Sequence, residues 1–108
     1  MYKRGVIILV PFPFTDLSGS KVRPALIVSA GKIGTDIVVL FITSQASQRG
    51  KFVVPLVPSK ENGIKIKSRI ICSKLATLEA KIVLGELGCI SKSTQEKIDA
   101  KLRQTLCL

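Results

Sequence analysis

Short aliphatic runs, each soon cut off by proline or glycine, constrain this chain more than any other feature. Val and Ile dominate them, and β-branched side chains fit a pleated sheet better than a helix. Residues 6–10, Val-Ile-Ile-Leu-Val, follow Gly5 as a continuous apolar run, the pattern of a strand buried on both faces. Pro11 and Pro13 come next. Prolines this close cannot donate to a central ladder, so residues 11–14 are expected at an edge or at the exit into a loop. Residues 15–21, rich in Asp, Ser and Gly, are that loop. Residues 25–29 then predict a second strand and residues 36–42 a third, which runs directly into Thr43-Ser44-Gln45.

Residues 46–51 are polar and lead into a fourth strand at 52–56, which Pro55 and Pro58 mark as an edge. Lys60-Glu61-Asn62-Gly63 is a turn, because Asn-Gly readily supplies positive φ. Residues 68–78 alternate imperfectly, which predicts a long strand with a bulge or bend near Ser73. Ile82-Val83-Leu84 predicts a short return strand before Gly85. The period then changes. Ser93-x-x-Glu96 matches a capping box, and Ile98, Leu102 and Leu106 recur every four residues. One amphipathic helix follows, with Lys97, Lys101 and Arg103 toward solvent and its apolar stripe expected as a lid on the sheet. Strands at close spacing with one terminal helix predict a mainly β fold, a small antiparallel barrel with a C-terminal helix.

At 108 residues the chain reads as one domain, residues 1–108, with no repeat, linker or low-complexity stretch. Its charge narrows the partners. Seventeen Lys and Arg against seven Asp and Glu give +10, spread from Lys3 to Arg103, which predicts attraction to a polyanion: nucleic acid, an acidic protein segment or an anionic membrane. Cys72, Cys89 and Cys107 are odd in number and form no Cys-x-x-Cys pair, which argues against a disulfide framework or a zinc site and for a reducing cytoplasm. The basic start and the run at 6–10 resemble a leader only faintly. Pro11 and Pro13 cut that run too short for export or for spanning a bilayer, so no membrane role is expected.

The chemistry gathers around Lys21-Val22-Arg23-Pro24-Ala25-Leu26-Ile27-Val28-Ser29, where a polar loop delivers an arginine to the start of a strand. A residue before proline is pushed to extended geometry, so Arg23 stands on a stiff backbone. Its five-donor fork fits a phosphate with two parallel bonds. Gly5, Pro13-Phe14 before a polar loop, the stretch from Lys21, Thr43-Ser44 at the end of the third strand, Asn62-Gly63-Ile64 before Ser68, and Gly85-x-x-Gly88 before the helix occur in that order. Together they resemble the MazF/PemK family of toxin endoribonucleases, over essentially the whole chain.

The resemblance implies an SH3-like barrel, a homodimer, metal-independent cleavage of single-stranded RNA, and inhibition by an antitoxin with a disordered acidic tail. It implies that Arg23 and Thr43 are the catalytic pair and that the loop at 15–21 gates RNA. Ser18, Ser20, Lys21, Ser44, Gln45, Arg49, Lys51 and Lys74 are candidate phosphate or base contacts, and Phe14 is a candidate to stack a base or to fill the barrel end. Many relatives carry an acid or glutamine pair and a further arginine in the strand where this chain has Ser73, Lys74 and Ala76. The target sequence therefore does not transfer.

The chain contains no histidine, which removes the imidazole acid and base common in phosphodiester cleavage. Catalysis must rest on positioning and charge, with Arg23 and the Thr43 hydroxyl on the phosphoryl oxygens. The expected reaction is attack of the ribose 2′-OH on its own phosphate, leaving a cyclic phosphate and a 5′-hydroxyl, which also distinguishes RNA from DNA. Arginine stays protonated and is a poor base, so the proton acceptor is open; Asp16 is the nearest acid in sequence and equally an ordinary turn aspartate. No carboxylate spacing suggests a metal, and no metal or cofactor is expected. Two other functions stay open: a non-catalytic nucleic-acid-binding barrel, and a gyrase-poison-like toxin on the same fold acting through its terminal helix.

Overall fold

The computed structural model describes residues 2–12 and 21–108. Asp16, Ser18, Ser20 and Phe14, with the rest of the loop at 15–20, lie outside the described residues. Among the described residues six strands form one sheet: β1 (Val6–Phe12), β2 (Lys21–Ile27), β3 (Asp36–Thr43), β4 (Val53–Leu56), β5 (Ser68–Glu79) and β6 (Gly85–Cys89). The helix α1 (Lys92–Leu106) closes the chain. The strand order is β4-β5-β3-β2-β1-β6, with every pair antiparallel. This is the mainly β, curled architecture that the aliphatic runs predict.

Alternation along the strands builds a core on each face of the sheet. Ile7, Leu26 and Leu40 join Ile42, Ile70, Cys72 and the helix residue Ile98 in one buried cluster. Their neighbours Ile8, Ala25 and Val39 join Val10, Ile27 and Ile37 in the other. Ile98 is fully buried and Leu102 packs beside it, so α1 is the expected lid. Lys97 and Arg103 face solvent as expected, whereas Lys101 is half-buried and Leu106 is half exposed.

Several boundaries differ from the sequence reading, each for a local reason. The first strand continues through Pro11 to Phe12. Leu84 N–H donates to Leu9 O, and Pro11, two residues on, points its missing donor the same way, where β6 has not yet begun. The second strand starts at Lys21, not Ala25, because residues 21–24 pair with β1. The return strand is Gly85–Cys89, while residues 80–82 form a 3₁₀ turn that brings Ile82 and Val83 onto the second cluster. The helix is capped by Ser91, whose Oγ accepts from Thr94 N–H at 3.2 Å, and not by Ser93. The bulge near Ser73 is present: Phe41 pairs with Ile71 and Leu40 with Leu75, which leaves residues 72–74 as extra chain.

The curl is closed by a loop rather than a strand. Asn62 is buried and its side chain organises residues 57–64: Oδ1 accepts from the N–H of Ser59 (3.0 Å) and Ile64 (2.9 Å), and Nδ2 donates to Val57 O at 2.9 Å. This knot lies directly against β6. Cys89 N–H donates to Glu61 O at 2.9 Å, and the backbones approach so closely that only glycine fits at positions 63 and 88.

Arg4 ties the helix to the sheet. Its Nε donates to Val28 O at 3.0 Å and its Nη2 to Asp99 Oδ1 at 2.6 Å, while Gln95 Nε2 supports the same oxygen. The Arg4 bond holds the Asp99 carboxyl below the usual carboxylate range. The pair's contribution is therefore complete above that range and fades as pH falls through the lowered folded value. Arg4→Ala is expected to cost about 1 kcal/mol, given how exposed the pair is. Asp99→Asn should flatten the loss of stability below about pH 4, read by urea unfolding across pH. An acid slope identical to that of the parent protein would exclude this contact as a contributor.

Thiol reactivity gives a second check on the core. Burial pushes the Cys72 thiol up to about 11, while Cys89 and Cys107 are exposed. An aromatic disulfide reagent at neutral pH is expected to label Cys89 and Cys107 in the folded protein and Cys72 only on unfolding. Rapid labelling of all three would contradict the packing of Cys72 under α1.

Candidate functional site

Pro24 opens the site. Val28 N–H donates to Val38 O at 2.9 Å, so the β2 residues that point toward β3 are every second one, Leu26 and then Pro24. Pro24 has no N–H to give, and the β2–β3 ladder ends at Ala25↔Phe41. Continuing its register by two residues sets Arg23 across from Thr43, on the same face of strands no longer bonded to each other. The mouth between them is a groove of about 610 Å³ lined by both residues.

The groove has an apolar floor and a cationic rim. Leu9, Ile42, Ile64, Ile71 and Leu87 line its base, with Phe12 and Phe41 in edge contact at a centroid distance of 5.6 Å. Arg23, Lys65 and Lys74 bring positive charge, and Thr43, Ser44, Gln45, Gln48 and Ser68 bring hydroxyl and amide groups. Among the described residues that line it there is no carboxylate. Such a groove concentrates anions and offers apolar surface to flat, partly polar ligands.

Two bulges shape this lining. Residues 72–74 are looped out of the β3–β5 ladder, and Lys74 from that loop lines the groove. On the other side Ile7 pairs with Gly88 and Ile8 with Glu86, so Leu87 is the extra residue, and it also reaches the groove. Bulges re-aim side chains, and here both supply one wall residue.

Thr43 is held by a local turn. Its Oγ1 accepts from Gln45 N–H at 3.2 Å, which engages one lone pair of the hydroxyl. The hydroxyl proton makes no bond among the described residues. Arg23 is exposed and forms no ion pair among them.

Of the residues expected from sequence, Arg23, Thr43, Ser44, Gln45 and Lys74 converge on the groove. Lys21 is exposed at the start of β2 opposite Phe12, and Arg49 is exposed in the turn before β4; neither lines it. Lys51 sits over the Phe52 ring at 5.7 Å. Gln48, Lys65, Ile66 and Ser68 line the groove without having been anticipated. The available signal was Ile-Lys-Ile-Lys after the Asn-Gly turn, an apolar and cationic alternation that becomes a wall once Asn62 fixes the turn against β6.

The family of PemK-like, MazF-like toxins of type II toxin-antitoxin systems has a model that matches residues 3–106. The chain belongs to this family. Comparison with curated proteins gives no match. Among solved structures the chain is similar to an endoribonuclease in complex with its cognate antitoxin from a mycobacterial species, at 23% identity and TM-score 0.78, over 98% of this chain and 95% of that one. It is similar to the Mycobacterium tuberculosis toxin MazF-mt6, at 20% identity and TM-score 0.74, over 95% and 97% of the two chains. It is also similar to MazF from Deinococcus radiodurans, at 18% identity and TM-score 0.76, over 98% and 96%. At these identities the structures establish a common fold, the curled antiparallel sheet with a C-terminal helix.

Proposed function

We propose that this family member is a metal-independent, sequence-selective endoribonuclease that cleaves single-stranded RNA with Arg23 and Thr43 as its catalytic pair. The observation that carries the reading is that both line the mouth of a cationic groove, just past the point where the ladder between their strands ends at Ala25 and Phe41. RNA lies with its phosphates on the Arg23, Lys65 and Lys74 rim and its bases over the apolar floor. The 2′-oxygen attacks the adjacent phosphorus, the bond from phosphorus to the 5′-oxygen breaks, and a 2′,3′-cyclic phosphate and a 5′-hydroxyl result. One proton leaves the 2′-hydroxyl and one is delivered to the departing 5′-oxygen. Arg23 donates to the phosphoryl oxygens as their charge grows, and the free proton of the Thr43 hydroxyl does the same. Ser44, Gln45, Gln48 and Ser68 supply the directional donors and acceptors that select bases.

The +10 charge and the family's toxin-antitoxin setting support an acidic antitoxin as the protein partner, occupying the groove that RNA otherwise uses. A homodimer acting in the cytoplasm completes the reading. The test is incubation in EDTA with a single-stranded RNA and with DNA of the same sequence. Cutting of RNA alone is the expected result. RNA that is bound but never cut, with a slope of log affinity against log salt of roughly −0.7 per neutralised phosphate, would identify a binding module. Indifference to both nucleic acids would turn attention to a protein target.

A further inference from the structure

Arg69 is the direct cross-strand neighbour of Thr43: the β3–β5 register pairs the two, on one face of the sheet. Its side chain is half-buried and does not line the groove. Instead Nη1 donates at 3.4 Å to Gln45 O, which also accepts from Gln48 N–H at 3.2 Å, while Gln45 N–H donates to Thr43 Oγ1 at 3.2 Å. One residue, Gln45, is thus held at its carbonyl by Gln48 and, from the sheet, by Arg69, and at its amide by Thr43.

Resting on the catalytic assignment of Thr43 above, we infer that Arg69 is a positioning residue that holds the 43–45 turn so that the Thr43 hydroxyl directs its proton into the groove. A hydroxyl has one proton and two lone pairs, and its proton rotates to suit its surroundings. Fixing the Gln45 amide on one lone pair limits that rotation. The amide stays in place only while the turn does, and β3 has ended by Ser44, so the sheet no longer supports Gln45. Arg69, anchored in the middle of the sheet between β3 and β4, extends that support past the strand end. Its fork suits the task because it reaches from a strand position to a carbonyl with several donors in a fixed plane.

The test uses the full chain with Arg69→Met, which keeps the aliphatic stem and loses every donor, and Arg69→Lys, which keeps a single-point donor. In Arg69→Met the Gln45 amide should exchange with solvent at least about tenfold faster, while amides of β1 are unchanged. With RNA, kcat should fall about tenfold and binding of an uncleavable 2′-deoxy analogue should stay within about twofold. Arg69→Lys should recover part of both. In a Thr43→Val background Arg69→Met should lower the rate no further, because no hydroxyl remains to orient. Unchanged Gln45 exchange overturns the inference, as does an affinity loss that matches the rate loss, or an undiminished effect in the Thr43→Val background. If the parent protein cuts no RNA, the catalytic reading fails by itself, and Gln45 exchange in Arg69→Met still decides whether Arg69 holds the turn.

Discussion

Arg23→Ala is expected to lower kcat on single-stranded RNA by about 10²–10³-fold, the cost of removing one charge-directed donor from an oxyanion-type site. Affinity should fall far less. The variant gives up one phosphate contact among several basic rim residues, so the salt slope of binding should shrink by roughly 0.7. Arg23 is exposed, unpaired among the described residues and fixed to an extended backbone by Pro24. Among the described residues no ion pair has to be broken before its charge meets a ligand. Single-turnover rates and binding of a 2′-deoxy analogue separate the two effects. Equal losses in rate and affinity would make Arg23 an ordinary contact rather than the stabiliser of the transition state.

Gly88→Ala is expected to cause a large loss of stability. A Cβ at Gly88 would stand 2.1 Å from Glu61 O and 2.8 Å from Asn62 C, both backbone atoms of the Asn62 knot. Relief requires moving β6 off the loop that closes the curl, and Cys89 N–H would lose Glu61 O in the process. The cost should reach about 3 kcal/mol, the upper range for overpacking. For a domain of this size that lowers Tm by roughly 12–24 °C. Gly34→Ala is the control, since Gly34 has φ +64 with nothing within 4 Å of its Cβ position, so it reports backbone strain without a clash. It should cost only about 1 kcal/mol. A Gly88→Ala protein as stable as the control would mean that the closure between the loop and β6 is not what holds the sheet's curl.

How much of this could be read from the chain depended on whether a signal was local. The β-branched runs at 6–10 and 36–42 predict their strands because burial on both faces of a sheet needs continuous apolar sequence. The bulge near Ser73 was visible because alternation breaks there, and the helix because the period changes after Ile90. The return strand is expected at 82–84 but forms at 85–89 because Gly-Glu-Leu-Gly-Cys has little strand propensity of its own; it becomes a strand only by pairing with β1, and Gly88 serves close approach to residues 61–62. The helix cap moved from Ser93 to Ser91 because both positions offer serine, and only the entry angle from β6 decides between them. Arg23 and Thr43 stood out by their place at a strand start and a strand end, yet their register is a property of the β2–β3 ladder. Arg69 had no signal in the sequence, and Lys65 only the faint alternation of residues 64–67. The place of Arg69 beside Thr43 passes through strand pairing, and that of Lys65 in the groove wall through the Asn62 knot.

The most direct test of the central claim is a single-stranded RNA carrying one 2′-deoxynucleotide at the mapped cut, incubated with the purified protein in EDTA, with the ends of all products identified. The all-ribose strand should yield a cyclic phosphate and a 5′-hydroxyl, the single deoxy substitution should abolish that cut, and the Arg23→Ala and Thr43→Ala proteins should cut the all-ribose strand about 10²–10³-fold more slowly. Continued cutting at the deoxy position, or ends bearing a 5′-phosphate, would mean that water and not the ribose hydroxyl attacks, and the assignment of Arg23 and Thr43 to this groove chemistry would be wrong.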